Sequence, residues 1–511
     1  MRFWVLIALC GVVLRSQPVF NVKNFGATGR RQDDARPALQ LAIDECGRAG
    51  GGTVYVPPGE YTSGQLRLRS GVRLYVEAGA TLFASLDGRQ FDSATKAALI
   101  YGEDLHNIAI EGRGSVDGQG SYIWQLNDLT DYYIRPNQLL MEAAHKPLLR
   151  AFPSGWRKET VYPRLVLLLR CNDVAILGLS FRDSRSWTIN PYACKRLTID
   201  GVHITSSQKA GVWADGIDPD GCQDVHISNS TVETGDDALV FYSADIWGPA
   251  LPTENVTVTN CRFSSSSSAI KFCDGNSNAV RRVTIDNVVI TNSNRGLAFM
   301  VFDGGIVEDV VISNVTIETR RFDWFWWGNG DPIHFNIKRR SEIDGEKRAN
   351  EPAAGKIRHV SIRNVIAHGA GTSAINGHPD SWLDGIVLEN VRLFVHRDAD
   401  APYENTRAAL TLANARNFTM KDVVVRWEKP ESPTWKAGLT VDNANDLLLD
   451  GVDVPMEVRL NNVDGAIVRH SVAPSFKISG ARSRRIRSFD SDGRIEVAPE
   501  VPKDGVRLNP H

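Results

Sequence analysis

An eight-residue phrase returns through most of the chain and constrains the fold more than any other feature of the sequence. It runs apolar, any residue, apolar, polar, Asn or Gly (once Asp), apolar, any residue, apolar, and successive copies most often lie 20 to 30 residues apart. Copies begin at Val174, Leu197, Val225, Val256, Val283, Val310, Val360, Ile386, Phe418 and Leu447.

Each copy predicts two short strands joined at a tight corner, because Asn and Gly tolerate the left-handed backbone region. One such coil cannot bury its own apolar side, whereas a stack of coils can. We therefore predict an all-β fold, a single-stranded right-handed parallel β-helix. A β-sandwich or a propeller is the alternative, but neither would carry so regular an asparagine phrase.

The first part of the chain predicts a cap for the open apolar end of such a solenoid. Residues 33–47 carry apolar side chains at the spacing of one helical face. A helix lying over the first coil would shield it from water. We expect the β-helix to span residues 18–500, with insertions at about 120–163 and 320–356 and a C-terminal tail over 501–511.

The two insertions interrupt the repeat and are rich in aromatic residues. The first contains a segment with helical character, Asn137 to Arg150. Some of these aromatic side chains are expected either to pack against the solenoid or to stack on sugar rings. The charged run from Lys338 to Lys356 in the second insertion predicts a solvated loop.

Within the first 17 residues, Arg2 precedes an apolar run from Phe3 to Leu14, which predicts a signal peptide and a secreted or periplasmic protein. The formal net charge of −2 favours neither a nucleic acid nor a membrane surface as partner, and we expect a monomer. Seven cysteines are too few for a disulfide scaffold, so we expect free, buried, stacked thiols. No Cys and His spacing resembles a zinc site.

Acidic residues crowd into residues 210–243 and recur at the same place in two successive repeats. Stacking of these repeats would place Asp215 over Asp236 and Asp237. Adjacent strands lie about 4.8 Å apart, so several carboxylates would come within ~10 Å of one another. Folding gains nothing from that repulsion, which indicates a functional site. Paired carboxylates suit a glycosidase, and they also suit a hard cation such as calcium.

Several motifs in this order resemble glycoside hydrolase family 28, the pectin-degrading polygalacturonase family. They are GSVDGQGSYIWQ, YPRLVLLLRCNDVAILGLSFRDSRSWTINP and the two acidic turns, and the resemblance runs from about Phe20 to about Asn336. It implies a pectin-lyase-like solenoid and a glycoside hydrolase that needs no cofactor. The implied substrate is a plant cell-wall, pectic-type polysaccharide or oligosaccharide.

The resemblance also implies catalytic roles. The family's Asn-Thr-Asp turn falls on Trp213-Ala214-Asp215, and its Gly-Asp-Asp turn falls on Gly235-Asp236-Asp237. By that match, Asp236 is the general acid, while Asp215 and Asp237 hold and deprotonate the attacking water, with inversion at the anomeric carbon. Repulsion among the carboxylates would raise the proton affinity of one of them, as an acid and base pair requires. We predict no metal ligands, with a cation site as the alternative use of these acids.

Other family positions have changed. Ser267-Ser268-Ala269 stands where the family has Gly-His-Gly, and Ala298-Phe299-Met300 stands where it has Arg-Ile-Lys, the uronate-binding motif. The loss of those cations predicts a substrate other than simple polygalacturonate. The candidate substrate-binding residues are Trp213, Ser268, Lys271, Arg295 and His334.

Two further functions stay open from the sequence. A β-helix polysaccharide lyase would use Lys271 or Arg295 as its base and the acids to hold calcium. A non-catalytic glycan-binding β-helix would explain the missing motifs. A panel of glycans, read for new reducing ends and for unsaturated products, separates these functions.

Overall fold

The structure is a computed structural model that describes residues 18–93, 95–122, 125–128, 151–154, 162–272, 274–322, 328–398 and 406–508. The predicted signal peptide and the segment from Asn137 to Arg150 lie outside these residues. No helix in the described part of the chain has the length and apolar character needed to cross a bilayer.

In the described ranges, the regular structure consists of β-strands, two α-helices and three 3₁₀ turns. The first part comprises β1 (Val19–Asn21), α1 (Arg36–Arg48), β2 (Gly52–Val56), β3 (Gly59–Ser63), β4 (Leu66–Arg67), β5 (Val72–Val76), β6 (Ala80–Ala84), β7 (Ala98–Glu103), β8 (His106–Gly112), β9 (Ser115–Asp117) and β10 (Gln125–Asp128). The middle part comprises β11 (Ala151–Ser154), β12 (Arg164–Leu169), β13 (Asn172–Leu177), β14 (Ser180–Arg182), β15 (Ile189–Tyr192), β16 (Lys195–Asp200), β17 (His203–Thr205), β18 (Gln223–Ser228), β19 (Thr231–Thr234), β20 (Leu239–Phe241), β21 (Thr253–Ser265), β22 (Ser268–Phe272), β23 (Ala279–Ser293) and β24 (Arg295–Val301).

The last part carries the second helix and the long strands. It comprises β25 (Ile306–Thr319), β26 (Asp331–Ile337), α2 (Ser341–Asp344), β27 (Lys356–Gly369), β28 (Ser373–Asn376), β29 (Leu383–Val395), β30 (Ala408–Trp427), β31 (Ala437–Asp450), β32 (Val458–Arg469), β33 (Val472–Ser479), β34 (Arg484–Phe489), β35 (Asp492–Val497) and β36 (Val506–Leu508). Among the described strands, only β10 and β11 pair in antiparallel fashion, and the other strand pairs are parallel.

The repeated phrase forms the rungs of a right-handed parallel β-helix, as predicted. The first residues of successive phrases pair in register, for example Val225 with Val256 and Val256 with Val283. The corner residues have positive φ, such as 71° at Gly178 and 55° at Asn260. The corner asparagines also bond one another from rung to rung, with Asn287 Nδ2 donating to Asn260 Oδ1 at 2.6 Å. The Asn preference therefore comes from both backbone conformation and a side-chain ladder.

One hydrophobic cluster fills the inside of the solenoid and includes residues from Val22 to Val501. Under the site described below, four phenylalanines stack on neighbouring rungs, and the Phe272 and Phe299 rings lie 4.3 Å apart at 7°. Helix α1 contacts β1, β2, β4 and β5 and closes the N-terminal end, which confirms the capping helix. Five cysteines in the described residues are free and buried, as expected.

The structure corrects two predicted boundaries. Residues 501–508 are not a loose tail, because β36 pairs with β34 and Val501 is buried in the core. The predicted second insertion contains β26, which pairs with β24 and with β28 as an ordinary rung. Both strands are short and carry polar residues on their outer faces, which hid them from a search for the full phrase.

Candidate active site

Parallel stacking brings one polar row together on the outside of the solenoid. The register of β20, β22, β24 and β26, with the bridges from Ile189 to Ile217 and from Ile217 to Leu239, defines the row. Neighbouring rungs lie about 4.8 Å apart. In chain order the row consists of Trp187, Asp215, Asp237, Ser268, Arg295 and Asp331.

A cavity of about 510 Å³ opens above this row. The acidic residues that line it are Asp215, Asp236, Asp237, Asp274 and Glu342, and the basic residues are Lys271, Arg295 and Lys338. The aromatic and apolar residues that line it are Trp187, Trp213, Tyr242, Met300, Phe302 and Ile343. The remaining lining residues are Gly328, Asn329 and Asn336. A cavity with a few converging charged groups between aromatic side chains has the make-up of a small-ligand site.

The three aspartates predicted as catalytic residues lie side by side in this cavity. Each is buried, and one oxygen from each lies within 4.8 Å of the others. That spacing is shorter than the roughly 6.5–9.5 Å typical of the acid and base of inverting glycosidases. The carboxylate spacing therefore does not by itself favour inversion over retention.

Asp237 is held by three hydrogen-bond donors. Its Oδ1 accepts hydrogen bonds from the Ser267 hydroxyl at 2.7 Å and from the Ser268 N–H at 2.8 Å. Its Oδ2 accepts from the Lys271 ammonium at 2.9 Å. These three donors fix the orientation of the buried Asp237 carboxylate.

Asp236 is held by backbone donors. Its Oδ2 accepts the Trp213 N–H at 3.1 Å, and its Oδ1 accepts the Asp237 N–H at 2.9 Å. Burial, with help from the nearby Asp237 charge, raises the pKa of Asp236 to about 7. A carboxyl that carries a proton near neutral pH is suited to general-acid catalysis.

Trp213 adopts a backbone conformation that costs free energy for a bulky residue. Its φ is 66°, in the left-handed region that Asn enters much more easily. The turn aims its N–H at Asp236 and leaves its side chain 39% exposed at the cavity. Strain of this kind persists where the surroundings impose it, commonly at functional sites.

Asp215 and Asp218 complete the buried acids. Burial and then the Asp236 charge raise the pKa of Asp215 well above its usual range, and one of its oxygens has no hydrogen-bond partner among the described residues. Burial likewise raises the pKa of Asp218, and the nearby Arg164 charge opposes this rise. Four buried carboxyls near two cations, Lys271 and Arg164, imply that protons are shared among them.

A divalent cation fits this donor set poorly. The oxygen spacing would suit a hard cation, which takes six or more oxygen ligands. The Lys271 ammonium, however, already supplies positive charge at Asp237 and lies 3.4 Å from Asp274 as well. A second cation here would be repelled by that ammonium.

Asp236→Asn should change the pH dependence of stability. Because the pKa of Asp236 is about 7 in the folded state and 3.8 in the reference state, the folded protein binds the extra proton and loses stability as pH rises from about 4 to about 7. The variant lacks this loss. We expect its free energy of unfolding, relative to the parent, to be more favourable at pH 8 than at pH 4 by on the order of 4 kcal/mol. Urea unfolding at both pH values measures this, and an equal difference at the two would contradict it.

The other predicted site residues divide into two groups. Trp213, Lys271 and Arg295 line the cavity, as expected for ligand contacts. Ser268 does not: its hydroxyl is fully buried, and its N–H serves Asp237. His334 also lies outside the cavity wall, 3.6 Å from Asp331, and burial lowers the pKa of its imidazole. The structure therefore gives Ser268 and His334 no direct ligand contact, because the Ser268 hydroxyl and both His334 ring nitrogens are buried and neither residue lines the cavity.

Several cavity residues were missed from the sequence. Trp187 lies one rung before Asp215 in the polar row, a position that the repeat spacing would have indicated. Tyr242 follows β20 by one residue on the rung of Asp236. Lys338 and Glu342 come from the charged run that predicted a solvated loop, which is therefore partly wrong.

The wall at the changed Arg-Ile-Lys motif is apolar. Ala298, Met300 and Phe302 form a small buried cluster on the outer face of β24, and Ile343 of α2 packs against it. Met300, Phe302 and Ile343 reach the cavity. The second insertion thus covers the positions of the missing cations with hydrocarbon.

Comparisons with known proteins agree with this geometry. Residues 155–321 match the family model Glycosyl hydrolases family 28, and residues 19–114 match Rhamnogalacturonase A/epimerase, pectate lyase-like. A probable polygalacturonase of Vitis vinifera is 26% identical over 72% of this chain and 73% of its own length. An endo-polygalacturonase of Pectobacterium carotovorum is 24% identical over 70% of this chain and 84% of its own.

Solved structures show the same fold. An exopolygalacturonase from Thermotoga maritima matches with a TM-score of 0.62 and 22% identity over 81% of this chain and 93% of that one. A family 28 exopolygalacturonase of Yersinia enterocolitica matches with a TM-score of 0.63 and 18% identity over 84% and 78%. Fold, site and matches define a carbohydrate-active parallel β-helix enzyme. The family 28 model over residues 155–321 and the polygalacturonase relatives support a glycoside hydrolase of that family.

Proposed function

We propose that the protein is a secreted or periplasmic hydrolase that cleaves a pectic polysaccharide or oligosaccharide, other than simple polygalacturonate, with inversion. The observation that carries the proposal is the set of three buried carboxyls at the base of a cavity, one of which keeps a proton near pH 7. The apolar N-terminal stretch supports secretion. The names of the Vitis and Pectobacterium relatives support a pectic substrate.

Asp236 serves as the general acid. It donates its proton to the glycosidic oxygen as the bond to the leaving sugar breaks. Two backbone N–H groups hold its oxygens, so that the carboxyl does not rotate away from the substrate. The alkaline limb of the activity profile should therefore lie near pH 7, where Asp236 loses its proton.

Asp215 and Asp237 orient and deprotonate the attacking water. Asp237 is fixed by hydrogen bonds from Lys271, Ser267 and Ser268, so it holds the water in place. Asp215 has an oxygen without a partner among the described residues and accepts the proton. Lys271 is then a positioning residue for Asp237, a role that the family's histidine position no longer supplies.

Inversion rests on the family resemblance, because one oxygen of each carboxyl lies within 4.8 Å of the others, which is short for an inverting pair. The anomeric configuration of the first-formed product decides the matter. Proton NMR of an early time point should show the configuration opposite to that of the cleaved bond. Retention would overturn this step and would make Asp215 a candidate nucleophile.

The two alternatives gain less support. A lyase needs an uncharged base, but the Lys271 ammonium is ion-paired with Asp237, and Arg295 is ion-paired with Asp331 at 3.7 Å. A purely glycan-binding protein has no need of a buried proton-sharing carboxyl cluster, which costs stability. A glycan panel separates both from the hydrolase.

Unsubstituted polygalacturonate should be hydrolysed weakly or not at all. A uronate carboxylate in a partly dry site needs a charge-assisted partner, and Ala298, Met300 and Ile343 offer only hydrocarbon. The purified protein is assayed on pectic and other plant glycans for new reducing ends and for ultraviolet absorbance. We expect reducing ends without absorbance on at least one pectic glycan. Fast release of galacturonate from polygalacturonate would contradict the substrate assignment, and an absorbing product would indicate a lyase.

A further inference from the structure

Trp187 occupies a place in the polar row that no part of the acid chemistry uses. It lies in the turn before β15, one rung on the N-terminal side of Asp215, and lines the cavity half-buried. The rung spacing of about 4.8 Å is comparable to the advance of one sugar residue along a chain. A sugar next to the one being cleaved would therefore lie over Trp187.

An unusual support holds the Trp187 ring. The Arg164 guanidinium lies between two indoles, 4.8 Å from the Trp187 ring and 5.0 Å from the Trp247 ring. Arg164 Nε also donates to Asn190 Oδ1 at 3.0 Å, which fixes the guanidinium in the sheet. Stacking of a cation between two rings is favourable and strongest where water is excluded.

Further contacts fix Trp247 and Trp187 on either side of Arg164. The Trp247 Nε1–H donates to the Thr95 carbonyl oxygen at 3.2 Å, and the Tyr192 ring packs edge-on against Trp247 at 5.3 Å. The Tyr242 ring lies 5.3 Å from Trp187. Trp187 is thus braced from two sides before any ligand arrives, so ordering its side chain costs little on binding.

We propose that Trp187 is a stacking platform for a pyranose ring adjacent to the scissile bond, and that Arg164 and Trp247 are positioning residues that hold this platform. The inference rests on the proposed function and deepens it. A pyranose ring presents C–H groups on its face, and an indole offers a flat apolar surface to them. The platform therefore recognises the ring face and not the carboxylate, which suits a site with an apolar wall at Met300.

Binding to a variant that does not turn over substrate tests the platform. In the Asp236→Asn background, calorimetry measures the dissociation constants of trigalacturonate and of its methyl-esterified form. Adding Trp187→Ala should weaken the binding of both sugars about tenfold, which is the scale of one lost aromatic contact. Trp187→Phe should retain part of the affinity, and it covers the case in which the alanine variant fails to fold.

Steady-state kinetics test the two positioning residues, Arg164 and Trp247. In the active enzyme, Trp247→Ala should raise KM several-fold with kcat nearly unchanged, because it disturbs the platform without touching the acids. Arg164→Gln should also raise KM, but it should change kcat and the pH profile as well, because the Arg164 charge acts on Asp218 and Asp215. Trp382→Ala is the matched control: Arg482 lies 5.9 Å over that indole, which is outside the cavity wall.

The outcomes separate this inference from the proposed function. Binding by the Trp187→Ala protein within twofold of the Asp236→Asn parent, an equal loss in Trp382→Ala, or no binding of either sugar to the parent would each overturn the platform. Tight, Trp187-dependent binding by a native protein that cleaves no pectic glycan would contradict the proposed function and leave the platform standing.

Discussion

Asp236→Asn should lower turnover by about 10²–10⁴-fold on the glycan that the panel identifies, the usual worth of general acid–base catalysis. The variant keeps the shape of the side chain and loses the proton that it transfers. Substrate binding should change little, because that proton serves mainly the transition state. Initial rates and calorimetry measure the two effects separately.

A glycoside with a good leaving group needs less protonation, so it should recover much of the rate lost in Asp236→Asn. Asp215→Asn and Asp237→Asn should not recover in this way, because their proposed task is to activate water. Neither chelator nor added calcium should change the activity of these variants. Near-normal turnover by Asp236→Asn would overturn the assignment, and activity restored by calcium would move the three acids from proton transfer to metal binding.

The architecture could be predicted because it repeats. Each phrase carries the alternation of a strand and a corner residue that tolerates positive φ. One copy alone predicts little, but ten copies in sequence predict a stack of similar coils. The end of the solenoid could not be predicted in the same way. Residues 501–508 form half a rung, and only the partner strand β34 shows that Val506 belongs to the stack.

The site could be predicted only in part, for a related reason. Asp215 and Asp237 share a repeat position, so stacking alone brought them together. Trp187 shares it too, so the repeat spacing would have placed it in the row, but a single tryptophan does not by itself indicate a ligand contact. Ser268 shows the opposite error: its position was right and its role was not, because its N–H and not its hydroxyl meets the site.

Residues from the second insertion were beyond sequence reasoning altogether. A charged run predicts a solvated segment, and nothing local indicates that Ile343 packs on Met300. Arg340 helps to hold this segment, because its guanidinium pairs with Asp303 and reaches Asp274 at 3.5 Å. Such long-range contacts decide the polarity of the cavity wall, and only the folded chain shows them.

Lys271→Met should destabilise the protein by about 3–5 kcal/mol at pH 8, because it leaves the buried Asp237 carboxylate without its partner. The deficit should shrink as pH falls. Without the ammonium, the folded state favours the protonated Asp237 carboxyl, so it binds a proton that the unfolded chain releases, and stability is lost as pH rises. Urea unfolding at pH 5 and pH 8 measures both the size and the sign of this effect.

The same variant should shift catalysis toward higher pH. Lys271 lowers the pKa of Asp236 and of Asp215, so its loss raises both, and the alkaline limb of the activity profile moves upward. Lys271→Met combined with Asp237→Asn is the matched control, because it removes the charge together with its partner. That double variant should regain most of the stability and none of the activity. A double variant as unstable as Lys271→Met would show that packing around the lysine stem, and not the ion pair, holds this part of the site.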